Sequence, residues 1–213
     1  AAPAPLADEA GVIPRLCADL FKELSREESA AGVVDSRVVS WSVSCSYMQI
    51  YNDRLFDLLQ DKSMRNPLSL REAGASLSGG VVVQNLSEVR VTSAADIIAL
   101  IQRGTKSRVV RATQMNEHSS RSHAILQLNV EVESQQRDGA TALRRSKLNL
   151  VDLAGSEKWD TSLNHTQEMS EQRTLELRSI NSSLSALGNV IAALTDPTRT
   201  HVPYRDSTLT RLL

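Results

Sequence analysis

An aspartate and a glycine three positions apart carry the first chemical signal in this sequence. Asp152 directly follows an apolar run at residues 148–151, and Gly155 completes the pattern. The run predicts a buried strand, which places the carboxylate at the carboxyl edge of a sheet, where open α/β sheets bind ligands. A carboxylate there can hold Mg²⁺ through water, and a glycine lets its backbone N–H approach a phosphate closely. An ordinary strand end followed by a turn is the simpler interpretation of so short a pattern.

A second polar segment could act on the same kind of ligand. Residues 116–123 read Asn-Glu-His-Ser-Ser-Arg-Ser-His. The hydroxyls of Ser119 and Ser120 can ligate Mg²⁺ or donate to phosphate oxygens. Arg121 can pair with a phosphate or, bidentately, with a carboxylate. A solvated, serine-rich turn is the alternative interpretation of this segment.

Length and charge define the broad class of the protein. The 213 residues suit one domain or most of one, which we assign to residues 11–213, with residues 1–10 as a flexible start or truncation point. The net charge of −1 gives no global field that favours nucleic acid or a membrane surface. No apolar run approaches the roughly 20 residues that span a bilayer. Cys17 and Cys45 are expected to be reduced, which favours a reducing compartment.

Hydrophobic periodicity predicts strands that alternate with helices, an arrangement typical of layered α/β folds. The first half is predicted to contain a helix at 11–24, a strand at 39–47, a short helix capped by Asn52 or Asp53, short strands at 68–71 and 81–85, and a helix opened by Ser93 and Asp96 that ends or kinks at Gly104. The second half is predicted to contain an irregular segment at 111–123, a strand at 124–133, a charged hairpin connection at 134–145, the buried strand at 148–151, a long helix at 167–194 stopped by Asp196-Pro197, and a helix from Asp206 or Ser207.

Four segments taken together resemble the kinesin motor domain. They are Asn116-Glu-His-Ser-Ser-Arg-Ser-His123, Asp152-Leu-Ala-Gly-Ser-Glu157, Ile180-Asn-Ser-Ser-Leu-Ser-Ala-Leu-Gly-Asn-Val-Ile191 and Val202-Pro-Tyr-Arg-Asp-Ser-Thr-Leu-Thr-Arg211. They occur in the family's order and near its spacing, and long ordered matches are far more specific than any one motif. The resemblance implies an α/β, three-layer, P-loop NTPase-like kinesin motor fold, with a central mixed sheet and helices on both faces, incomplete in this chain.

The resemblance implies ATP and Mg²⁺ as ligands and suggests a role for each matching residue. Ser119, Ser120 and Arg121 correspond to switch I of kinesins, and the segment from Asp152 to Glu157 corresponds to switch II. The implied nucleotide-binding residues are Asn116, Ser119, Ser120, Asp152 and Gly155, of which Ser120 and Asp152 hold the metal, Asp152 through water. The implied catalytic residues are Ser119, Ser120, Arg121, Gly155 and Glu157. Gly155 is expected to sense the γ-phosphate, and an Arg121–Glu157 salt bridge is expected to close the switches over the nucleotide.

The long helix and the segment after it correspond to the microtubule-facing side of kinesins. The implied microtubule-facing residues are Lys158, Arg173, Arg178, Arg205 and Arg211. The same loop and helix also carry Asp160, Glu168, Glu171 and Glu176, so a neutral, solvated helix face is the alternative. The implied partner is the microtubule, with no nucleic acid or membrane, and the implied location is the cytoplasm, on the microtubule cytoskeleton. Dimerisation would need segments outside this chain.

One family motif is not found in these residues. None of the nine glycines precedes a lysine, so the phosphate cradle Gly-x-x-x-x-Gly-Lys-Ser/Thr is missing. We therefore expect the chain to start after the P-loop and to stop before the neck linker. As a fragment it is expected to expose unpaired sheet edges and to have negligible ATP turnover alone. The alternatives are a degenerate microtubule-binding module that does not hydrolyse ATP, and a GTPase. The second is disfavoured because no Asn-Lys-x-Asp motif is found.

Overall fold

The computed structural model describes residues 11–29, 36–60, 66–72, 80–114, 121–156 and 171–213. The chain divides into two compact units. The first unit consists of Ala1–Tyr47, Glu88–Arg103 and Leu126–Leu150, and the second consists of Met48–Ser87, Gly104–Ile125 and Val151–Leu213. Asp152 and Gly155, the described members of the predicted nucleotide-binding set, fall in the second unit.

Four helices and seven strands make up the described part of the chain. The helices are α1 (Val12–Ser29), α2 (Ala94–Gln114), α3 (Glu171–Thr195) and α4 (Thr208–Leu212), and a 3₁₀ turn at Tyr204–Asp206 precedes α4. The strands are β1 (Ser36–Tyr51), β2 (Arg54–Asp57), β3 (Leu70–Glu72), β4 (Val81–Val83), β5 (Val89–Val91), β6 (His123–Gln136) and β7 (Thr141–Asp152). The main sheet has the order β2-β1-β6-β7, with β5 also paired to β1, and β3 and β4 form a second, two-stranded sheet. None of the described helices is long and apolar enough to cross a membrane.

The core of the second unit joins strand residues to the last helix. Met48 and Ile50 of β1, Leu55 of β2 and Ile125 of β6 are buried against α4. The contacts from α4 come from Leu209 and Leu212. Burial of such side chains contributes about 1.5–3 kcal/mol each. The short helix α4, which could not persist alone, is therefore held by packing against the sheet.

The segment after β1 is a hairpin rather than the predicted short helix. Asn52 and Asp53 have φ angles of +48° and +56°, and β2 pairs antiparallel with the end of β1. Two central residues with positive φ make the tight turn that matches the twist of paired strands, and Asn and Asp tolerate this conformation. The prediction was wrong because a short apolar run fits a helix or a strand equally well. Asp53 also accepts a hydrogen bond from the Thr208 backbone N at 2.7 Å, which joins the turn to α4.

Several predicted boundaries are confirmed. Ser93 and Asp96 form the predicted capping box, because the Asp96 N donates to Ser93 Oγ at 3.2 Å and the Ser93 N donates to Asp96 Oδ2 at 3.0 Å. The helix α3 ends at Thr195, directly before Asp196-Pro197. Ser207 caps α4 with its side chain. The predicted start of α3 near Gln167 lies outside the described residues.

Other predicted boundaries are wrong. The helix α2 continues through Gly104 to Gln114, so residues 111–114 are helical rather than irregular. The strand β6 ends at Gln136 and β7 begins at Thr141, so the connection predicted at 134–145 is only a four-residue turn. The three-residue strand β5 was not predicted, because so short a segment gives no periodicity to detect.

The strand that ends at Asp152 is not buried as predicted. It lies at the end of the main sheet order, beside β6 alone among the described strands. Leu148 is 36% exposed and Val151 is half-buried. A strand at a sheet edge has neighbours on one side only, so its apolar residues are covered less than those of a central strand.

The hairpin geometry gives a testable prediction about residue 52. We expect Asn52→Val to lower the free energy of unfolding by about 1–2 kcal/mol, because a β-branched residue is strained at positive φ. Asn52→Gly should leave stability equal or higher, since glycine adopts this φ freely and the Asn52 Oδ1 is buried without a hydrogen-bond partner among the described residues. Denaturant unfolding of the protein that carries this chain measures both values. Equal stability of the valine and glycine variants would contradict the assigned turn.

Candidate functional site

The two predicted ligand segments flank strands that are neighbours in the sheet. Arg121 and Ser122 directly precede β6, and residues 153–156 directly follow β7. The Ala154 backbone N donates to His123 Nδ1 at 3.0 Å, so the start of β6 lies against the segment after β7. The structure therefore brings together the parts of both segments that it describes.

A buried arginine joins the two segments. Arg108, near the end of α2, is 9% exposed. Its Nη2 donates to the Ser122 carbonyl oxygen at 2.8 Å, and its Nη1 donates to Asp152 Oδ2 at 3.1 Å. A buried guanidinium is stable only when acceptors and an opposite charge satisfy it. Arg108 thus fixes the start of β6 and the end of β7 from one side. Sequence reasoning missed this residue, because nothing in its local spacing marks it.

His123 forms a second link and has two buried partners. Besides the bond from Ala154, its Nε2 lies 2.9 Å from Ser183 Oγ on helix α3. Burial, and then the charge of Arg108, lowers the pKa of His123 below its usual value, so the imidazole is neutral at pH 7. His123 was predicted only as part of a motif, and its partners lie 31 and 60 residues away in sequence.

Arg121 has a different described partner from the predicted one. Its Nη1 lies 3.1 Å from Glu176 Oε2 on helix α3, and both side chains are largely buried. The Tyr51 hydroxyl donates to Glu176 Oε1 at 2.5 Å. Glu157, the predicted partner, lies outside the described residues. Glu176, which the alternative interpretation placed on a solvated helix face, is instead buried.

Asp152 and Gly155 suit a ligand that carries phosphate and a hydrated cation. The Asp152 side chain is 72% exposed at the strand end, and a single carboxylate is enough for Mg²⁺, which keeps most of its water. Gly155 is exposed, and a Cβ placed on it would meet no protein atom within 4 Å among the described residues. A ligand group can therefore approach its backbone. The described residues contain no cluster of three metal-binding side chains.

A cavity of about 670 Å³ lies beside α3. The hairpin lines it with Tyr51–Arg54 and Phe56, and α3 lines it with Leu175, Arg178 and three serines. Arg178, one of the predicted microtubule-facing residues, therefore lies near the turn between β1 and β2.

Comparison with known proteins identifies the family. The sequence profile of the kinesin motor domain matches residues 4–213. This chain belongs to the kinesin motor domain family. The expected kinesin motor fold is confirmed.

Individual kinesins give the same result. Kinesin-related protein 5 of Dictyostelium discoideum is 43% identical over 207 residues, which cover 97% of this chain and 19% of that protein. Kinesin-like protein KIF1C of Homo sapiens is 44% identical over 209 residues, which cover 95% and 18%. A solved structure described as "Structure of a fast kinesin: Implications for ATPase mechanism and interactions with microtubules" is 39% identical, with a TM-score of 0.73, and the match covers 97% of this chain and 52% of that one. The chain therefore spans a small part of these curated kinesins.

The remaining predicted kinesin residues differ in how far the structure describes them. Outside the described residues lie Asn116, Ser119, Ser120, Glu157 and Lys158. Arg173 lies in α3, but its side chain is not described. Arg178 is exposed on α3, Arg205 pairs with Glu72 at 2.5 Å, and Arg211 is half-buried in the last turn of α4. Their roles stay predictions.

The buried ion pair gives a testable prediction about stability. We expect Glu176→Gln to lower the free energy of unfolding by about 3 kcal/mol, because it leaves the Arg121 guanidinium buried without its charge partner. The matched control is Glu131→Gln, which breaks the exposed pair between Glu131 and Arg145 and should cost under about 1 kcal/mol. Denaturant unfolding compares the two variants. Equal costs would contradict the burial assigned to the pair.

Proposed function

We propose that this chain forms part of a microtubule-based motor ATPase, which couples ATP binding and hydrolysis to microtubule binding and movement. The observation that carries the proposal is the joint position of the two switch segments. Arg108 contacts both Ser122 and Asp152, and a Cβ on Gly155, three residues after Asp152, would meet no described atom within 4 Å. When the ends of two adjacent strands lie next to one exposed carboxylate, they can bind one phosphate-bearing ligand from two sides.

The proposed ligands are ATP and Mg²⁺. Asn116, Ser119 and Ser120 would bind the nucleotide from the switch I side, and Asp152 and Gly155 would bind it from the switch II side. Ser120 and Asp152 would hold Mg²⁺, Asp152 through water, which agrees with its exposure of 72%. Bound Mg²⁺ supplies positive charge that offsets the charge developing on the transferred phosphoryl group. The protein contributes mainly position and exclusion of water.

Closure of the switches is proposed to change the partner of Arg121. Its Nη1 contacts Glu176, while its Nε is buried and has no hydrogen-bond partner among the described residues. An unsatisfied buried donor favours a further acceptor, and Glu157 supplies one in the proposed closed state. Arg121 and Glu157 would then cover the nucleotide, and loss of the γ-phosphate would release them.

The proposed microtubule surface lies on α3, α4 and the loop before α3. Lys158, Arg173, Arg178, Arg205 and Arg211 would face the acidic microtubule. Burial of Glu176 removes one acidic group from that surface, which favours docking over a neutral face. The proposed location is the cytoplasm, on the microtubule cytoskeleton, and dimerisation is proposed to use segments outside these residues.

These 213 residues contain no Gly-x-x-x-x-Gly-Lys-Ser/Thr sequence, so we expect them alone to turn over ATP at a negligible rate. Nothing in the described residues favours the non-hydrolysing alternative.

Gly155→Ala tests the proposed function. In the protein that carries this chain, we expect the variant to lower microtubule-stimulated ATP turnover by about 100-fold, because the added methyl group displaces the terminal phosphate. The melting temperature should stay unchanged, since a Cβ at Gly155 meets no described atom within 4 Å.

Gly11→Ala is the matched control, because a Cβ there also meets no described atom within 4 Å and Gly11 lies far from residues 116–157 in sequence. It should retain full turnover. Turnover in Gly155→Ala equal to that of the control would remove the role proposed for Gly155.

A further inference from the structure

His123 takes part in a continuous hydrogen-bond chain between the segment after β7 and helix α3. The Ala154 N–H donates to His123 Nδ1 at 3.0 Å, and His123 Nε2 lies 2.9 Å from Ser183 Oγ. Ser183 Oγ in turn donates to the Ile180 carbonyl oxygen at 2.8 Å. His123, Ala154 and Ser183 are each at most 5% exposed. Water therefore has little access to replace any of these bonds.

The backbone groups at the two ends determine which atom donates and which accepts in each hydrogen bond of this series. A backbone N–H can only donate, so His123 Nδ1 must be the acceptor and Nε2 must carry the ring proton. Nε2 therefore donates to Ser183, whose own proton goes to the Ile180 carbonyl oxygen. Each member has a single role, and no alternative arrangement satisfies all of the buried groups.

The hydrogen-bond chain contacts the switch II backbone between the two proposed ligand-binding residues of that segment. Ala154 lies two positions after Asp152 and one position before Gly155. Residues 153–156 have no regular secondary structure, so few backbone bonds within the segment hold it. A displacement of Gly155 must therefore either move the His123 imidazole or leave the buried His123 Nδ1 without its hydrogen-bond donor.

The imidazole acts on α3 beside the buried ion pair. Glu176 and Ser183 are seven residues apart, which is close to two helical turns, so they share one face of α3. Their partners, Arg121 and His123, are two residues apart at the start of β6. The same short segment thus holds α3 at two points, but only the His123 contact continues to the switch II backbone among the described residues.

We propose that His123 is a positioning residue that passes a displacement of the Ala154–Gly155 backbone to helix α3 through Ser183. This inference rests on the proposed function, because the displacement is caused by the nucleotide and α3 is the proposed microtubule-facing helix. His123 does not touch the nucleotide in this role. It sets where α3 lies for a given position of switch II.

Hydrogen exchange at the Ala154 amide tests the link without reference to motor activity. Ser183→Ala removes the hydroxyl that holds Nε2 but leaves the acceptor of the Ala154 N–H in place. If the hydrogen-bond chain acts as one unit, the Ala154 amide hydrogen should exchange with solvent about tenfold faster in this variant. The matched control is Ser46→Ala, which removes an equally buried hydroxyl in the first unit and should leave Ala154 unchanged. Unchanged exchange at Ala154 in Ser183→Ala, or equal acceleration in the control, would overturn the proposal.

A second experiment measures the coupling in the protein that carries this chain. The quantity is the ratio of microtubule dissociation constants with ADP and with a non-hydrolysable ATP analogue. His123→Asn retains an acceptor for Ala154 but cannot reach Ser183, so it should reduce this ratio by about tenfold, as should Ser183→Ala. The double variant should lose no more than either single variant, because the same link is already broken. Variant ratios equal to the wild-type ratio, or losses of the ratio that add in the double variant, would overturn the role proposed for His123. A wild-type ratio of one would instead refute the proposed function. The hydrogen-exchange experiment would still test whether His123 links Ala154 to Ser183.

Discussion

The requirement to neutralise one buried guanidinium constrains the start of β6 and the end of β7. Arg108 is nine-tenths buried, and Asp152 and the Ser122 backbone are among the acceptors that stabilise its charge there. These acceptors belong to the end of β7 and to the residue before β6, so the contacts of Arg108 hold these two strand ends side by side. Asp152 meets this requirement with Oδ2 while its side chain stays 72% exposed. The same carboxylate can therefore stabilise the fold and remain available to a hydrated cation.

The position of helix α3 follows from two contacts of a different kind. The Arg121–Glu176 pair is ionic and buried, whereas the His123–Ser183 bond joins neutral groups. A buried ion pair is expensive to break, so it favours discrete arrangements of the helix over small adjustments. A neutral hydrogen bond adjusts with less resistance and transmits smaller displacements. Together these two contacts hold α3 against residues 121–123.

Local sequence patterns predicted the parts of the fold that local chemistry determines. The caps at Ser93 and Ser207 and the helix stop at Asp196 depend on neighbours within a few positions, and all three are confirmed. The helix predicted after Asn52 is wrong because a short stretch with four apolar residues among five does not distinguish a helix from a strand. The strand at 148–151 was predicted to be buried, yet its place at the sheet edge depends on the order of strands, which periodicity does not encode. Motif recognition identified the segments of the candidate site but not the buried residues that contact them. Arg108, His123 and Glu176 act through partners that are 14 to 125 residues away, and no spacing rule connects them.

The central claim is that one nucleotide lies between the segment before β6 and the segment after β7. An experimental structure of the protein that carries this chain, with Mg²⁺ and a non-hydrolysable ATP analogue bound, tests it most directly. The account predicts that the Gly155 N–H donates to the terminal phosphate and that Ser119 and Ser120 contact the same phosphate or its metal from the opposite side. A nucleotide bound elsewhere, or one that contacts only one of the two segments, would contradict it.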